Sequence, residues 1–261
     1  MLISLYIGIL SIFAAADVVG GQEVPAGEHQ EVVAITLMGH GLHCSGVLIE
    51  PNIVLTAAHC LTEDLQAYRI YVGRGKEQNF WRLDTKFQGQ YKVKAAYAHP
   101  SYFDEDGNGP YIYEEKDRFD VGFMVLERRV KGVKAAKWNL DKTRIQSAIQ
   151  NQEMAKIVGF GIQLPYFTTG NIPVGVKHYI EKPVLGYRNP YLQVDGNKND
   201  SCQMDSGGPL FLKNHKDYEV VALVSTKYDG DCGDPSPSLY APLFEVKKWL
   251  LQKVKDHRLK K

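Results

Sequence analysis

The run Asp205-Ser206-Gly207-Gly208-Pro209 sets a serine hydroxyl between an acidic residue and two glycines, and two short motifs precede it in the chain, Thr56-Ala57-Ala58-His59-Cys60 and Asp120-Val121-Gly122-Phe123. Each motif contributes one member of a Ser/His/Asp set. A serine hydroxyl is a poor nucleophile near neutral pH until an imidazole takes its proton, and the imidazole needs a buried carboxylate to hold its tautomer and stabilise its cation. Taken singly, His59 reads as a core histidine, Asp120 as a cap or turn residue and Ser206 as part of a turn. Taken together they read as nucleophile (Ser206), general base (His59) and orienting carboxylate (Asp120). They are far apart in sequence, so only a fold that joins two halves at a cleft would assemble them. His29, His40, His43, His99, His178, His215 and His257 have no comparable motif and read as surface or structural.

Around these motifs the chain has a β rhythm. Short runs rich in Val, Ile and Tyr, at 32–38, 47–55, 68–72, 91–97, 121–126, 155–160 and 218–224, recur between turn residues and predict an all-β protein. The convincing helical stretch is the end, where Leu243, Val246, Leu250 and Val254 recur at helical spacing, Trp249 lies beside them, and Lys247, Lys248, Lys253 and Lys255 fill polar positions. Its basic face reads as solvated surface on a helix capping the β domain, with a membrane or polyanion contact as the alternative. Residues 128–139 are the candidate crossing between two β halves.

The 261 residues are 44% hydrophobic and 23% charged, which excludes disorder, collagen and a polytopic membrane protein. With 31 Lys and Arg against 30 Asp and Glu, the formal charge of +1 gives no electrostatic reason for a nucleic-acid partner. Residues 2–13 form an apolar run too short for a stable membrane anchor and are followed by Ala14, Ala15 and Ala16, which predicts a secretory signal; a buried N-terminal strand or helix is the alternative, and the leader lacks Lys or Arg. Export agrees with the cysteines. Cys44, Cys60, Cys202 and Cys232 are even in number with no CxxC or Cys/His ligand spacing, so two disulfides are expected rather than zinc or redox chemistry, in any of three pairings.

With these motifs in this order, the chain resembles a secreted serine endopeptidase of the trypsin/chymotrypsin family from residue 18 to the C-terminus. Val18-Val19-Gly20-Gly21 is similar to that family's mature N-terminus, and Gly159-Phe160-Gly161 to a Gly-aromatic-Gly turn of its second barrel. The order His, Asp, Ser also separates it from subtilisins and α/β-hydrolases. The resemblance implies an all-β fold of two six-stranded antiparallel β-barrels with a C-terminal α-helix. It divides the chain into a signal peptide with room for a short pro-segment over 1–17, a first barrel over 18–130, and a second barrel and helix over 131–261. It implies the pairings Cys44 with Cys60, which closes a loop of about 15 residues worth roughly 3 kcal/mol in the chain-entropy model, and Cys202 with Cys232. The family's additional bridges in the second barrel are absent, which implies looser loops there. It also implies that the freed ammonium of Val18 pairs with Asp205, that Ser225 supports Asp120, and that the Met204 and Ser206 amides stabilise the oxyanion. No cofactor is required. The implied partners are polypeptide substrates and protein inhibitors, for a secreted monomer.

Three stretches depart from the family's pattern. Met204 stands where glycine is usual, so a Cβ must adopt the backbone angles of the oxyanion hole, and one misplaced donor costs ~10²- to 10³-fold in turnover; the alternative is that Met204 projects along the leaving-group side of the cleft, leaves the hole intact and narrows access for inhibitors and bulky substrates. Asp200, by resemblance, lies at the base of the primary specificity pocket and implies cleavage after Arg or Lys, while Lys227 and Ser238 replace pocket-wall glycines. Lys227 is expected to extend outward, as long basic side chains do, the alternative being that it neutralises Asp200 or blocks long side chains. These departures leave two readings, an active endopeptidase and a protease homologue with weak or no activity acting as a binding or regulatory module. Lastly, Asp104-Glu105-Asp106-Gly107-Asn108-Gly109-Pro110-Tyr111-Ile112-Tyr113-Glu114-Glu115 fits a calcium-loop pattern with Asp104, Asp106, Asn108, Glu115 and the Pro110 carbonyl as ligands. The plainer reading is a solvated acidic loop, because no flanking helices are apparent and Ile112 falls one place late.

Overall fold

A computed structural model describes residues 21–38, 41–61, 64–73, 78–79, 89–102, 119–162, 173–227 and 229–258. The leader over 1–17, Val18 and the calcium-loop residues Asp104, Asp106, Asn108, Pro110 and Glu115 lie outside them.

The first half is an antiparallel sheet of β1 (Val32–Leu37), β2 (Gly41–Glu50), β3 (Ile53–Thr56), β4 (Tyr68–Val72), β5 (Gly89–Tyr91), β6 (Val93–Ala98) and β7 (Gly122–Leu126), in the order β5-β4-β1-β2-β3-β7-β6. Its two edge strands, β5 and β6, are one stretch of chain interrupted only at Lys92, so the sheet curls until its edges meet there. The apolar run 47–55 is two strands rather than one: Glu50 pairs with Ile53 across a turn at Pro51 and Asn52, where proline removes a ladder donor.

The second half begins with α1 (Lys142–Gln150) and continues through β8 (Met154–Gly159), β9 (His178–Arg188), β10 (Tyr191–Val194), β11 (Pro209–Asn214), β12 (Asp217–Lys227) and β13 (Ser238–Pro242). Six antiparallel strands close a barrel in the order β8-β11-β12-β13-β10-β9, with β9 returning to β8. Gln22–Glu23 adds to β9, and Lys137–Trp138, in the crossing segment, runs parallel to β12.

Helix α1 is absent from the periodicity because it buries only Ile145 and Ala148. Its start is instead set by Asp141, whose carboxylate accepts the Thr143 N–H at 2.9 Å, an N-cap. The terminal helix α2 (Lys247–His257) buries Leu250 and Val254, the pair expected from its spacing. Asn52 in the β2–β3 turn donates to the His257 carbonyl at 3.0 Å, and His257 packs on Tyr97 and Phe123, so α2 is held on the first half. One apolar cluster runs through both halves, from Leu55 and Phe123 to Val158, Phe160, Phe211 and Leu223, and takes in Leu250 and Val254. Burying that shared surface fixes the two barrels against each other.

Candidate active site

Strand pairing brings the first two motifs together. Thr56 in β3 is paired with Gly122 in β7, so antiparallel register puts the residues just after Thr56 beside those just before Gly122. The short helix Ala58–Cys60 follows β3, and the Cys44–Cys60 disulfide ties it to β2. His59 donates its backbone N–H to Asp120 Oδ1 at 2.9 Å, and its Nδ1 lies 2.8 Å from Oδ2. Ser225, near the end of β12, donates its hydroxyl to Oδ2 at 2.5 Å. Burial works against charge at both groups, but for each the partner outweighs it: Asp120's charge and hydrogen bond raise the His59 pKa, and His59, Ser225 and the His59 amide hold the Asp120 carboxyl below its usual range.

The serine loop lies against the same place. Ser206 accepts the Ser45 N–H at 2.9 Å, and Gly207 donates its N–H to Val224 at 2.8 Å. Gly207 has φ +77°, and a Cβ there would lie 2.1 Å from Thr56 Oγ1 and 2.6 Å from the Ala57 nitrogen. Only glycine lets the loop approach the His59 segment this closely. Met204 adopts the left-handed φ of +69° usually left to glycine, while its half-buried side chain packs on the cluster joining the barrels. The Gln203 carbonyl accepts the Ile162 N–H at 3.0 Å, which turns the N–H of the same trans peptide, that of Met204, the opposite way. Among the described residues neither the Met204 nor the Ser206 N–H has an acceptor.

Ser45 was not singled out by the sequence motifs. Its hydroxyl donates to the Met204 carbonyl at 2.9 Å and accepts the Phe160 N–H at 3.0 Å, clamping the serine loop to the Gly159-Phe160-Gly161 turn. The available signal was a hydroxyl next to Cys44 in a strand buried on both sides, where an unpaired hydroxyl is costly.

Asp205 is buried and accepts N–H groups from Gly161 at 2.8 Å and Cys202 at 2.9 Å. Both glycines of the turn are needed here, since a Cβ on Gly159 or Gly161 would come within 2.0 or 2.3 Å of its carboxylate. Burial pushes the Asp205 pKa up to about 7, and no cation pairs with it among the described residues. The Cys202–Cys232 disulfide joins this loop to the segment following β12.

Asp200 is also buried. Its Oδ1 receives the Ser238 hydroxyl at 2.5 Å and its Oδ2 receives the Lys227 ammonium at 2.8 Å. Lys227 therefore turns inward, not outward as its length and charge suggested, because an acceptor of opposite sign lies within its reach. Cys44, His59 and Cys60 have ligand-type atoms within 4.8 Å of one another, but the two sulfurs are bonded to each other and offer no thiolate.

The family model Trypsin matches residues 18–250. The chain belongs to the trypsin family. The two disulfides and the trypsin-like architecture agree with that membership, and trypsin-family proteases are serine hydrolases acting on polypeptides. The chain is 26% identical over 250 residues to "Trypsin theta" of Drosophila melanogaster, covering 90% of this chain and 85% of that protein. It is 25% identical over 229 residues to "Prostatic glandular kallikrein-6" of Rattus norvegicus, covering 82% and 81%. It is 27% identical over 255 residues to "Glucanase inhibitor protein 2" of Phytophthora sojae, covering 93% and 81%. Among the described residues no helix is long and apolar enough to cross a membrane.

Proposed function

We propose that the chain is a secreted serine endopeptidase in which Ser206 attacks the peptide carbonyl, His59 takes the proton and returns it to the leaving amine, and Asp120 orients His59. The observation that carries this reading is the double contact of His59 with Asp120, at 2.9 and 2.8 Å, reinforced by Ser225. It fixes the Nδ1–H tautomer and leaves Nε2 as the base. The Met204 and Ser206 amides supply the oxyanion hole, the Met204 amide being aimed by the Ile162 N–H on the Gln203 carbonyl of the same peptide. The reaction needs no cofactor.

Activation follows from Asp205. A buried carboxylate without a cation costs free energy, and release of the Val18 ammonium by cleavage after Asp17 supplies one. No Arg or Lys precedes Val18, so the enzyme does not activate itself by a basic-residue preference. Asp200 makes the pocket one for a cationic side chain whenever Lys227 is away from it. Calcium held by the acidic loop over 104–115 belongs to the same reading, as an accessory ion with no part in the chemistry. The proposal is tested by a fluorophosphonate reagent: an adduct at Ser206, lost in Ser206→Ala, is expected. No adduct would leave a protease homologue that binds rather than cleaves.

A further inference from the structure

In the endopeptidase reading, the residue before the cleaved bond of a substrate enters between the ends of β12 and β13, where Lys227 and Ser238 are paired in register. Both side chains reach Asp200. Asp200 is 1% exposed, and both of its oxygens already have donors, Ser238 on Oδ1 and Lys227 on Oδ2. The Lys227 ammonium also donates to the Asp234 carbonyl at 3.0 Å. The wall behind it is close, since a Cβ on Gly196 would lie 3.1 Å from Lys227 Nζ and 2.2 Å from the Ser236 carbonyl. The ammonium is thus held by two acceptors, with its side chain only 14% exposed.

We propose that Lys227 is a tethered occupant of the specificity pocket, taking on Asp200 the place of a substrate's basic side chain, so that the enzyme cuts after small uncharged residues and rejects Arg and Lys. This rests on the endopeptidase reading above. The electrostatic reason is direct. A guanidinium entering beside Lys227 would put two cations on one buried carboxylate. If Lys227 left instead, one buried pair would be exchanged for another, and the gain an uncompensated aspartate offers a basic substrate would be lost. Sterics act in the same direction, because the Lys227 stem and the Ser238 hydroxyl occupy space that glycines would leave open.

The test uses the mature protein, a panel of peptide amides differing only in the residue before the scissile bond, and benzamidine, a small aryl cation, in a binding titration. The wild type is expected to cleave after Ala faster than after Arg by about tenfold or more in kcat/KM, the scale on which a pocket contact discriminates, and to give no binding heat at millimolar benzamidine. In Lys227→Gly the Arg-to-Ala ratio rises by about a hundredfold, the effect of baring a buried charge, and benzamidine binds. Lys227→Gln gives the same direction and replaces the glycine variant where that does not fold. A wild type that prefers Arg to Ala, or that binds benzamidine as tightly as either variant, overturns the proposal. Failure of Ser206 to react with a fluorophosphonate would overturn the endopeptidase reading instead, while benzamidine binding, which needs no turnover, still decides the pocket.

Discussion

At the residue scale the informative position is Met204. Its φ of +69° is the conformation the serine loop requires of whichever residue stands there, and a side chain in that region costs about 1 kcal/mol. The sequence showed that glycine was missing but not how the chain copes. The cost is offset by packing of the thioether on the inter-barrel cluster and by the Ser45 hydroxyl on its carbonyl, and neither partner is near Met204 in sequence. Met204→Gly is therefore expected to change turnover of a small ester by less than about tenfold, since the N–H is already aimed. Steady-state kinetics measure the change. A rise in turnover of about 10³-fold, the full worth of an oxyanion donor, would mean that the wild-type hole is broken. Lys227 was legible as an anomaly but not in direction, because snorkelling outward and pairing inward differ only by whether an acceptor lies within reach.

At the element scale the proposed triad depends on the register of β3 with β7, which sets His59 against Asp120. The motifs named both residues, and the runs at 68–72 and 121–126 located the strands nearly to the residue. The β9–β10 hairpin was not legible, since β9 buries His178 and Lys182 along with Ile180 and Val184 and so hides its apolar alternation. Lys182 is admitted there because its ammonium reaches the Asn197 carbonyl at 2.5 Å and Asp195 at 3.4 Å. The kinetic consequence of the β3–β7 register is a pH profile. Because Asp120 raises the His59 pKa, and His59 must be neutral to act as base, the acid limb of kcat/KM is expected to have its midpoint above the ordinary imidazole value of 6.5. In Asp120→Asn that midpoint falls and kcat drops by about 10⁴-fold. An unchanged midpoint in the variant would remove Asp120 from its assigned role.

At the scale of the whole molecule, two buried charges tie stability to pH in opposite senses. The Asp205 pKa of about 7 is raised, so the folded chain binds more protons than the unfolded chain below that value, and stability falls as pH rises from the ordinary carboxyl value of 3.8 through about 7. Lys177, buried beneath the His29 carbonyl, which accepts its ammonium at 2.5 Å, has its pKa lowered by burial to about 7. It binds fewer protons when folded, so its contribution grows as pH rises from about 7 towards its ordinary 10.5. Melting temperatures of the uncleaved chain are expected to pass through a minimum near neutrality. Asp205→Asn removes the acid-side slope and Lys177→Met the alkaline one, and cleavage at Val18 should flatten the acid side alone by giving Asp205 a cation. A monotonic profile in the uncleaved chain would contradict this. The two-barrel plan was legible because the triad motifs imply a cleft between halves, whereas the shared core was not, being built from residues distant in sequence such as Leu55, Phe211 and Leu250. The proposed chemistry requires a reactive Ser206. The most direct measurement is mass spectrometry of the protein after exposure to a fluorophosphonate: one adduct per chain beginning at Val18, mapped to Ser206 and abolished in His59→Ala, is the predicted result. Chains that begin at Val18 and remain unmodified would contradict it.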